Sequence, residues 1–308
     1  MKTFIDLFCG IGGFRVALEK RGLECVFSSE IDKHAQEAYK ANFGDMPDGD
    51  ITKIPAKRIP KHDVLCAGFP CQSFSIAGNQ KGTEDPRGKL FEHIIRIAKY
   101  HKPAVLLLEN VKNILKVSDG HDFKKIVKAL EDCGYSIKAN LLNSADFGIP
   151  QARHRVYFVC VKKASGIKVS SIQHKTHPKP LKNVLEAEVD KALYIPESYK
   201  PTLYFDKREK DLAKPWRVGH YGKCGMGQRI YSPEHVAITI KANGGGWGAK
   251  TGLYFDGKGI RRLSIAESKL IMGFNDKHIV SECNQGYKQL GNAVIPKMVE
   301  TIFDSMIF

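Results

Sequence analysis

Residues 3 to 161 alternate short β-rich runs with amphipathic stretches, and this rhythm restricts the fold more than any other feature of the chain. Thr3 to Phe8, Glu24 to Ser29, Asp63 to Ala67, Val105 to Glu109, Ser136 to Asn143 and Arg155 to Val161 read as strands. Between them, Phe14 to Lys20, Lys33 to Asn42, Lys89 to Tyr100 and Asp122 to Cys133 carry apolar residues at helical spacing. The order implies an α/β fold with a mainly parallel, doubly wound sheet and helices on both faces. The continuous apolar run Ala104-Val105-Leu106-Leu107-Leu108 suits a central strand buried on both sides.

The texture changes after about residue 165. Pro178, Pro180, Pro196, Pro201 and Pro215 interrupt periodicity, and glycines cluster at 219 to 227 and 244 to 248. Helical spacing returns at Ser264 to Met272 and from about Tyr287 to the end, so the chain is expected to return to its first unit: residues 1–170 and 263–308 form one domain and 171–262 a second. The 308 residues carry a formal charge of +15, of which +8 (17 Lys+Arg, 9 Asp+Glu) lies between Ser171 and Arg262. That concentration points to a polyanion such as nucleic acid, with the second region as its face. A hydrophobic fraction of 43% with 26% charged residues excludes a disordered tail, a collagen repeat and a coiled coil. No apolar run has the length of a membrane span and no secretory pattern opens the chain, so a cytoplasmic protein is expected. Eight scattered cysteines, without a C-x-x-C pair or zinc-finger spacing, are expected to be mostly free thiols, with no metal site.

Phe4 to Phe14 reads as strand, glycine turn and helix start, with Gly10, Gly12 and Gly13 in the turn. Such a turn lets a ligand approach backbone at the carboxyl edge of a parallel sheet. Arg15 breaks the dinucleotide fingerprint G-x-G-x-x-G, which disfavours a nicotinamide or flavin dinucleotide. Glu30 ends the second strand, where an acid can accept from ribose hydroxyls. Asp50-Ile51 can pair an amino group and cover an adenine face. A nucleoside-bearing ligand without a pyrophosphate fits, S-adenosylmethionine among them, although the glycines alone are equally compatible with tight turns in an α/β core.

Gly68-Phe69-Pro70-Cys71-Gln72 follows the apolar strand Val64-Leu65-Cys66-Ala67, so Cys71 falls just past a carboxyl strand edge. Pro70 restrains the backbone and pre-aims the thiol. A thiolate there would be a nucleophile, whereas Cys25, Cys133 and Cys160 read as small buried hydrophobes. Glu109 ends the most buried strand, where a carboxyl must be neutral or paired. Arg153 and Arg155, two apart in an extended segment, point to one face. They either hold a pyrimidine carbonyl and a phosphate or are solvated surface.

Phe4-x-Asp6-Leu7-Phe8-x-Gly10-x-Gly12-Gly13, Gly68-Phe69-Pro70-Cys71-Gln72, Glu109-Asn110-Val111, Gln151-x-Arg153-x-Arg155 and Gln289-Leu290-Gly291-Asn292-Ala293-Val294 occur in the order of the DNA (cytosine-5)-methyltransferases. The resemblance runs from about residue 3 to the C-terminus, and five ordered blocks make it specific. It extends to the variable region of a bacterial member, through Gly225 to Tyr231, Ala237-Ile238-Thr239 and Gly244-Gly245-Gly246. It implies a Rossmann-like S-adenosylmethionine-dependent methyltransferase domain, a smaller irregular target-recognition domain and a DNA cleft between them.

The implied cofactor contacts are Phe8, Gly10, Ile11, Gly13, Glu30, Ile31, Asp50, Ile51, Gly68, Pro70, Leu90, Asn292 and Val294. Cys71 matches the family nucleophile, Glu109 the carboxyl at the cytosine edge, and Arg153 and Arg155 the paired arginines. The implied product is S-adenosylhomocysteine, the implied partner double-stranded DNA. The target cytosine must leave the stack to be reached. The stretch Ser73 to Lys89, with glycines and with Ala77, Lys81, Arg87 and Lys89, reads as a closing lid. Met226, Arg229, Thr239, Asn243, Gly244, Gly245 and Gly246 are the expected DNA contacts of the second region. Arg229 is either a guanine reader or a phosphate clamp. Met226 stands where the relative has a glutamine, and apolar stacking in the gap left by the flipped base is expected of it. Ala77 and Ala293 replace serines and Asn243 a tyrosine. The resemblance further implies a monomeric modification enzyme beside a cognate endonuclease, without a stable complex, and a target related to GCGC. The alternatives are a tRNA cytosine-5 methyltransferase and a catalytically silent DNA-binding module, with a dinucleotide oxidoreductase more distant.

Overall fold

A computed structural model describes residues 1–69, 90–172, 176–205, 209–242 and 251–307. The first unit alternates as the sequence predicts: β1 (Thr3–Leu7), α1 (Gly13–Glu19), β2 (Glu24–Ser29), α2 (Lys33–Phe43), β3 (Val64–Gly68), α3 (Leu90–His101), β4 (Val105–Val111), α4 (His121–Asp132) and β5 (Tyr135–Asn143). A two-residue strand, β6 (Gln151–Ala152), precedes the long β7 (His154–Lys162). These build a six-stranded sheet in the order β2-β1-β3-β4-β7-β5. β1 to β4 are parallel, whereas β7 pairs antiparallel with β4 and β5.

Alternation along β1 divides two cores. Ile5 and Leu7 join Phe91, Ile94, Ile97, Ile126 and Leu130 of α3 and α4 on one face. Phe4 faces the other side with Phe14, Leu18, Met298 and Ile302. All of Val105 to Leu108 are buried, as a strand covered on both sides requires.

β8 (Lys168–Val169) leads into the second region, where β9 (Pro201–Leu203), β10 (Arg217–Tyr221), β11 (Arg229–Tyr231), β13 (Leu253–Phe255) and β14 (Ile260–Arg261) form a five-stranded sheet, while β12 (Ala237–Ile238) pairs with β6 of the first. The second region is thus more regular than its proline and glycine content suggests. Val218, Ile230, Leu253 and Ile260 give it a small core of its own.

The returning segment also departs from expectation. The helical spacing from Tyr287 onward is not one helix but α6 (Cys283–Asn292) and α7 (Pro296–Asp304), and the chain then pairs β15 (Met306–Ile307) with β8. Ala293 is extended (φ −70, ψ 150), and Pro296 occupies the first turn of α7, where its missing N–H costs nothing. α5 (Ile265–Ile271) starts on a reciprocal cap, Ser264 Oγ accepting from the Glu267 N–H at 3.0 Å and the Glu267 carboxylate accepting from the Ser264 N–H at 2.8 Å. α7 lies against α1, with Glu300 pairing both Lys20 and Arg21. No helix among the described residues is long and apolar enough to cross a membrane.

Candidate active site

A cavity of about 490 Å³ opens at the carboxyl ends of β1 to β4. Its floor begins in the turn after β1. Gly12 adopts φ +86, and a Cβ there would lie 2.3 Å from the Phe43 ring. At Gly13 a Cβ would lie 2.2 Å from the Val294 carbonyl oxygen, so only glycine allows α1 to start against the α6–α7 junction. Phe8 and Gly10 line the cavity from this turn.

Glu30 and Ile31 come from the end of β2, and Asp50 and Ile51 from the segment after α2. The Glu30 carboxylate accepts from the Gly10 N–H at 2.9 Å and from the N–H groups of Ile31 and Asp32, both at 2.9 Å. It therefore fastens the glycine turn to β2 as well as facing the cavity. Asp50 accepts from the Thr52 N–H at 3.0 Å. Partial burial pushes the Asp50 carboxyl up, but the Thr52 hydrogen bonds, with Lys53 and His93 nearby, outweigh it and hold the group below its ordinary range. Asp6 of the first motif lies fully buried behind the turn. Burial raises its carboxyl well above the usual range, against the pull of Arg15.

The far wall is polar. Glu109, only 8% exposed, accepts from Arg155 Nε at 2.9 Å, so of the two states open to a carboxyl at this strand end it takes the paired one. Asn110 joins neighbouring strand ends, donating to the Phe69 carbonyl at 3.0 Å and accepting from the Val111 N–H. Arg153 is 2% exposed and donates to the carbonyl oxygens of Ile240 (3.0 Å), Gly291 (2.9 Å) and Ala293 (2.9 Å). Burial, reinforced by Arg155, brings its guanidinium down to about 9. Neither arginine is the solvated surface that sequence left open.

Of the expected cofactor residues, Phe8, Gly10, Glu30, Ile31, Asp50, Ile51, Gly68, Leu90 and Asn292 line this one cavity together with Glu109, Arg153 and Arg155. Ile11 and Val294 instead lie in the core behind the turn, and Gly13 abuts Val294. Ser29, Gly49, Phe69, Asn110, Val111 and Gly291 also line it and were not singled out from sequence. Ser29 and Gly49 are adjacent in sequence to residues that were, and Phe69, Asn110, Val111 and Gly291 stand inside the recognised blocks, which is the signal that could have found them. Pro70, Cys71, Ala77, Lys81, Arg87, Lys89, Asn243, Gly244, Gly245 and Gly246 lie outside the described residues.

In the second region Met226 is 45% exposed, with Lys241 Nζ 3.3 Å from its sulfur. Arg229 begins β11. The Thr239 hydroxyl is engaged, donating to the Ala152 carbonyl at 2.6 Å. The seven described cysteines are free. Cys160 is buried as expected, but Cys25 and Cys133 are only partly so.

Comparisons with known proteins agree with this architecture. Residues 2–307 match the C-5 cytosine-specific DNA methylase family. The chain is 44% identical over 309 residues to the Type II methyltransferase M.HhaI of Haemophilus parahaemolyticus, covering 97% of this chain and 92% of that protein. It is 38% identical to M.HpaII of Haemophilus parainfluenzae, covering 95% and 85%. Among solved structures, the S. pombe Dnmt2 methyltransferase superposes with a TM-score of 0.78 at 22% identity (99% and 98% covered), and the Entamoeba histolytica methyltransferase EhMeth with 0.77 at 22% (99% and 97%). These last two likenesses establish the fold, a Rossmann-like methyltransferase sheet, and the family match with the Type II relatives establishes that the chain belongs to the C-5 cytosine-specific DNA methylases.

Proposed function

We propose that the protein methylates carbon 5 of a cytosine flipped out of duplex DNA, within a specific sequence, through a covalent bond to Cys71. The observation that carries this reading is the Glu109–Arg155 pair facing the same cavity as Glu30 and Asp50. One chamber then holds both a polar edge for a pyrimidine and a wall for a nucleoside.

The chamber suits S-adenosylmethionine. Its volume lies within the usual range of roughly 300–1,000 Å³ for small-molecule sites. A Cβ at Gly10 would meet nothing within 4 Å, which leaves the turn open to a ligand. Glu30 and Asp50 would accept from ribose and amino groups, and Phe8, Ile31 and Ile51 would cover apolar faces. When bound, the cofactor supplies the electrophilic sulfonium methyl that carbon 5 takes.

The remaining chemistry belongs to the chain and the base. Carbon 5 is a poor nucleophile until the Cys71 thiolate bonds to carbon 6 and the displaced π electrons move into the ring. Glu109 meets N3 with a shared proton and Arg155 steadies the carboxyl, so the developing charge is stabilised where it forms. Once carbon 5 is methylated, its proton leaves, water being the proposed acceptor, and the carbon 6–sulfur bond breaks to return the thiolate. Extrusion of the base costs a few kcal/mol, drawn from contacts to the surrounding DNA. The 171–262 region, with Met226 in the vacated stack and Arg229 at a base or phosphate, supplies those contacts. The Type II relatives support a modification enzyme; a cognate endonuclease and a target related to GCGC belong to the same proposal.

Two experiments test this. Duplex containing 5-fluorocytosine should trap the wild-type protein covalently, and Cys71→Ser should abolish both trapping and turnover. A serine variant that methylates at the wild-type rate overturns the mechanism. Bisulfite mapping of a mixed-sequence genome reports the modified base and its context, and methylation of tRNA but not duplex DNA would favour the alternative substrate.

A further inference from the structure

The extended stretch from β6 into β7 that carries the two arginines also grips a segment of the second region. Ala237 and Ile238 pair in parallel with Gln151 and Ala152. Thr239 donates its hydroxyl to the Ala152 carbonyl, and the Ile240 N–H donates to Gln151 Oε1 at 3.0 Å. Arg153 completes the grip through the Ile240 carbonyl. Its other amino group donates to two carbonyls that bracket Asn292 on the cavity wall, those of Gly291 and Ala293. The two gripped segments also touch directly, since a Cβ at Gly291 would lie 2.4 Å from the Ala242 nitrogen. No carboxylate pairs with this guanidinium among the described residues, and carbonyl dipoles from two distant stretches of chain hold it instead.

We propose that Arg153 is a positioning residue that couples occupancy of the DNA face to occupancy of the cofactor cavity, without itself touching the cytosine. This rests on the function proposed above. The gripped segment 237–242 leads directly into Asn243 to Gly246, the stretch expected at the bases. A shift of that segment moves the Ile240 carbonyl, the guanidinium follows, and the backbone on either side of Asn292 is reset. Because coupling between binding sites is reciprocal, a bound cofactor presets the recognition segment by the same factor. Lysine keeps the charge but cannot reach three carbonyls with a planar fork, so Arg153→Lys isolates the geometry.

The test is calorimetric. The dissociation constant of S-adenosylhomocysteine is measured on the full chain, alone and with saturating duplex carrying the site that bisulfite mapping returns. Wild type should bind at least about fivefold tighter with duplex present, the lower end of ordinary allosteric coupling. Arg153→Lys should bring that ratio close to one and raise KM for the cofactor more than it lowers kcat. Thr239→Val removes one tie without touching the charge and should at least halve the ratio, which decides the matter if the lysine variant does not fold. A wild-type ratio of one, or an unchanged ratio in a folded Arg153→Lys that has lost only kcat, overturns the proposal. Failure of the wild type to methylate any duplex would instead overturn the functional reading.

Discussion

At Glu109 a buried carboxyl group pairs with Arg155 at 2.9 Å, and the proposed chemistry lays a demand on the same group. Glu109→Gln keeps the shape and replaces the ionisable carboxyl with an amide that cannot act as an acid or base near neutral pH. Turnover should fall by about 10²–10⁴, the ordinary worth of a positioned acid–base group, in single-turnover assays at saturating DNA and cofactor. A variant within a factor of three of wild type would remove Glu109 from the chemistry. Two buried histidines are expected to contribute to the loss of stability in acid. Burial pushes His62 and His278 down to about 4, while His62 Nδ1 lies 2.8 Å from the Pro60 carbonyl and His278 Nε2 2.9 Å from that of Ile11. A histidine whose folded pKa is depressed stays neutral in the native state while the unfolded chain takes up a proton. Its contribution is complete above about pH 6.5 and is lost as pH falls toward 4, up to roughly 3 kcal/mol for each group. His278→Gln should flatten the slope of denaturation midpoint against pH in that window, and an unchanged slope would show that His278 is not responsible.

Elements are held at the site by close backbone approaches, and these make sharp predictions. Gly13→Ala drives a methyl group against the Val294 carbonyl, a backbone atom that cannot rotate aside. Overpacking of this kind costs about 1–3 kcal/mol, read from the urea midpoint, and cofactor affinity should fall with it because Gly10 belongs to the same turn. The element scale also shows what sequence could and could not tell. The parallel strands and their helices were legible because each carries its own periodicity, and the places of Glu109 and Asn292 on the cavity wall because each sits in a recognisable block. The break at Ala293 was not. The apolar positions of α6 and α7 continue one helical spacing across it, and Pro296 is as acceptable in a first turn as after a stop. The second sheet was illegible for another reason: strands of two to five residues are too short for alternation to register. Arg153 was legible as part of its block but not as a tie to three carbonyls, because its partners lie 87 to 140 positions away in the chain.

Across the whole molecule, the excess of positive charge predicts a salt-dependent affinity for DNA. With +8 of the +15 on residues 171–262, neutralisation of 6–10 phosphates should lower affinity by about 10³–10⁵ between 50 and 200 mM salt. Fluorescence anisotropy across that range checks it, and an affinity indifferent to salt would exclude the basic region as the DNA face. The packing of α7 on α1 joins partners 280 positions apart. Met298, Val299, Ile302 and Phe303 of α7 pack into the core that holds Phe4 of β1 and Phe14 of α1, both far earlier in the chain. That core therefore lacks one of its covering elements until α7 has emerged from the ribosome. Nascent chains arrested before Pro296 should therefore be more sensitive to protease than chains in which α7 has emerged.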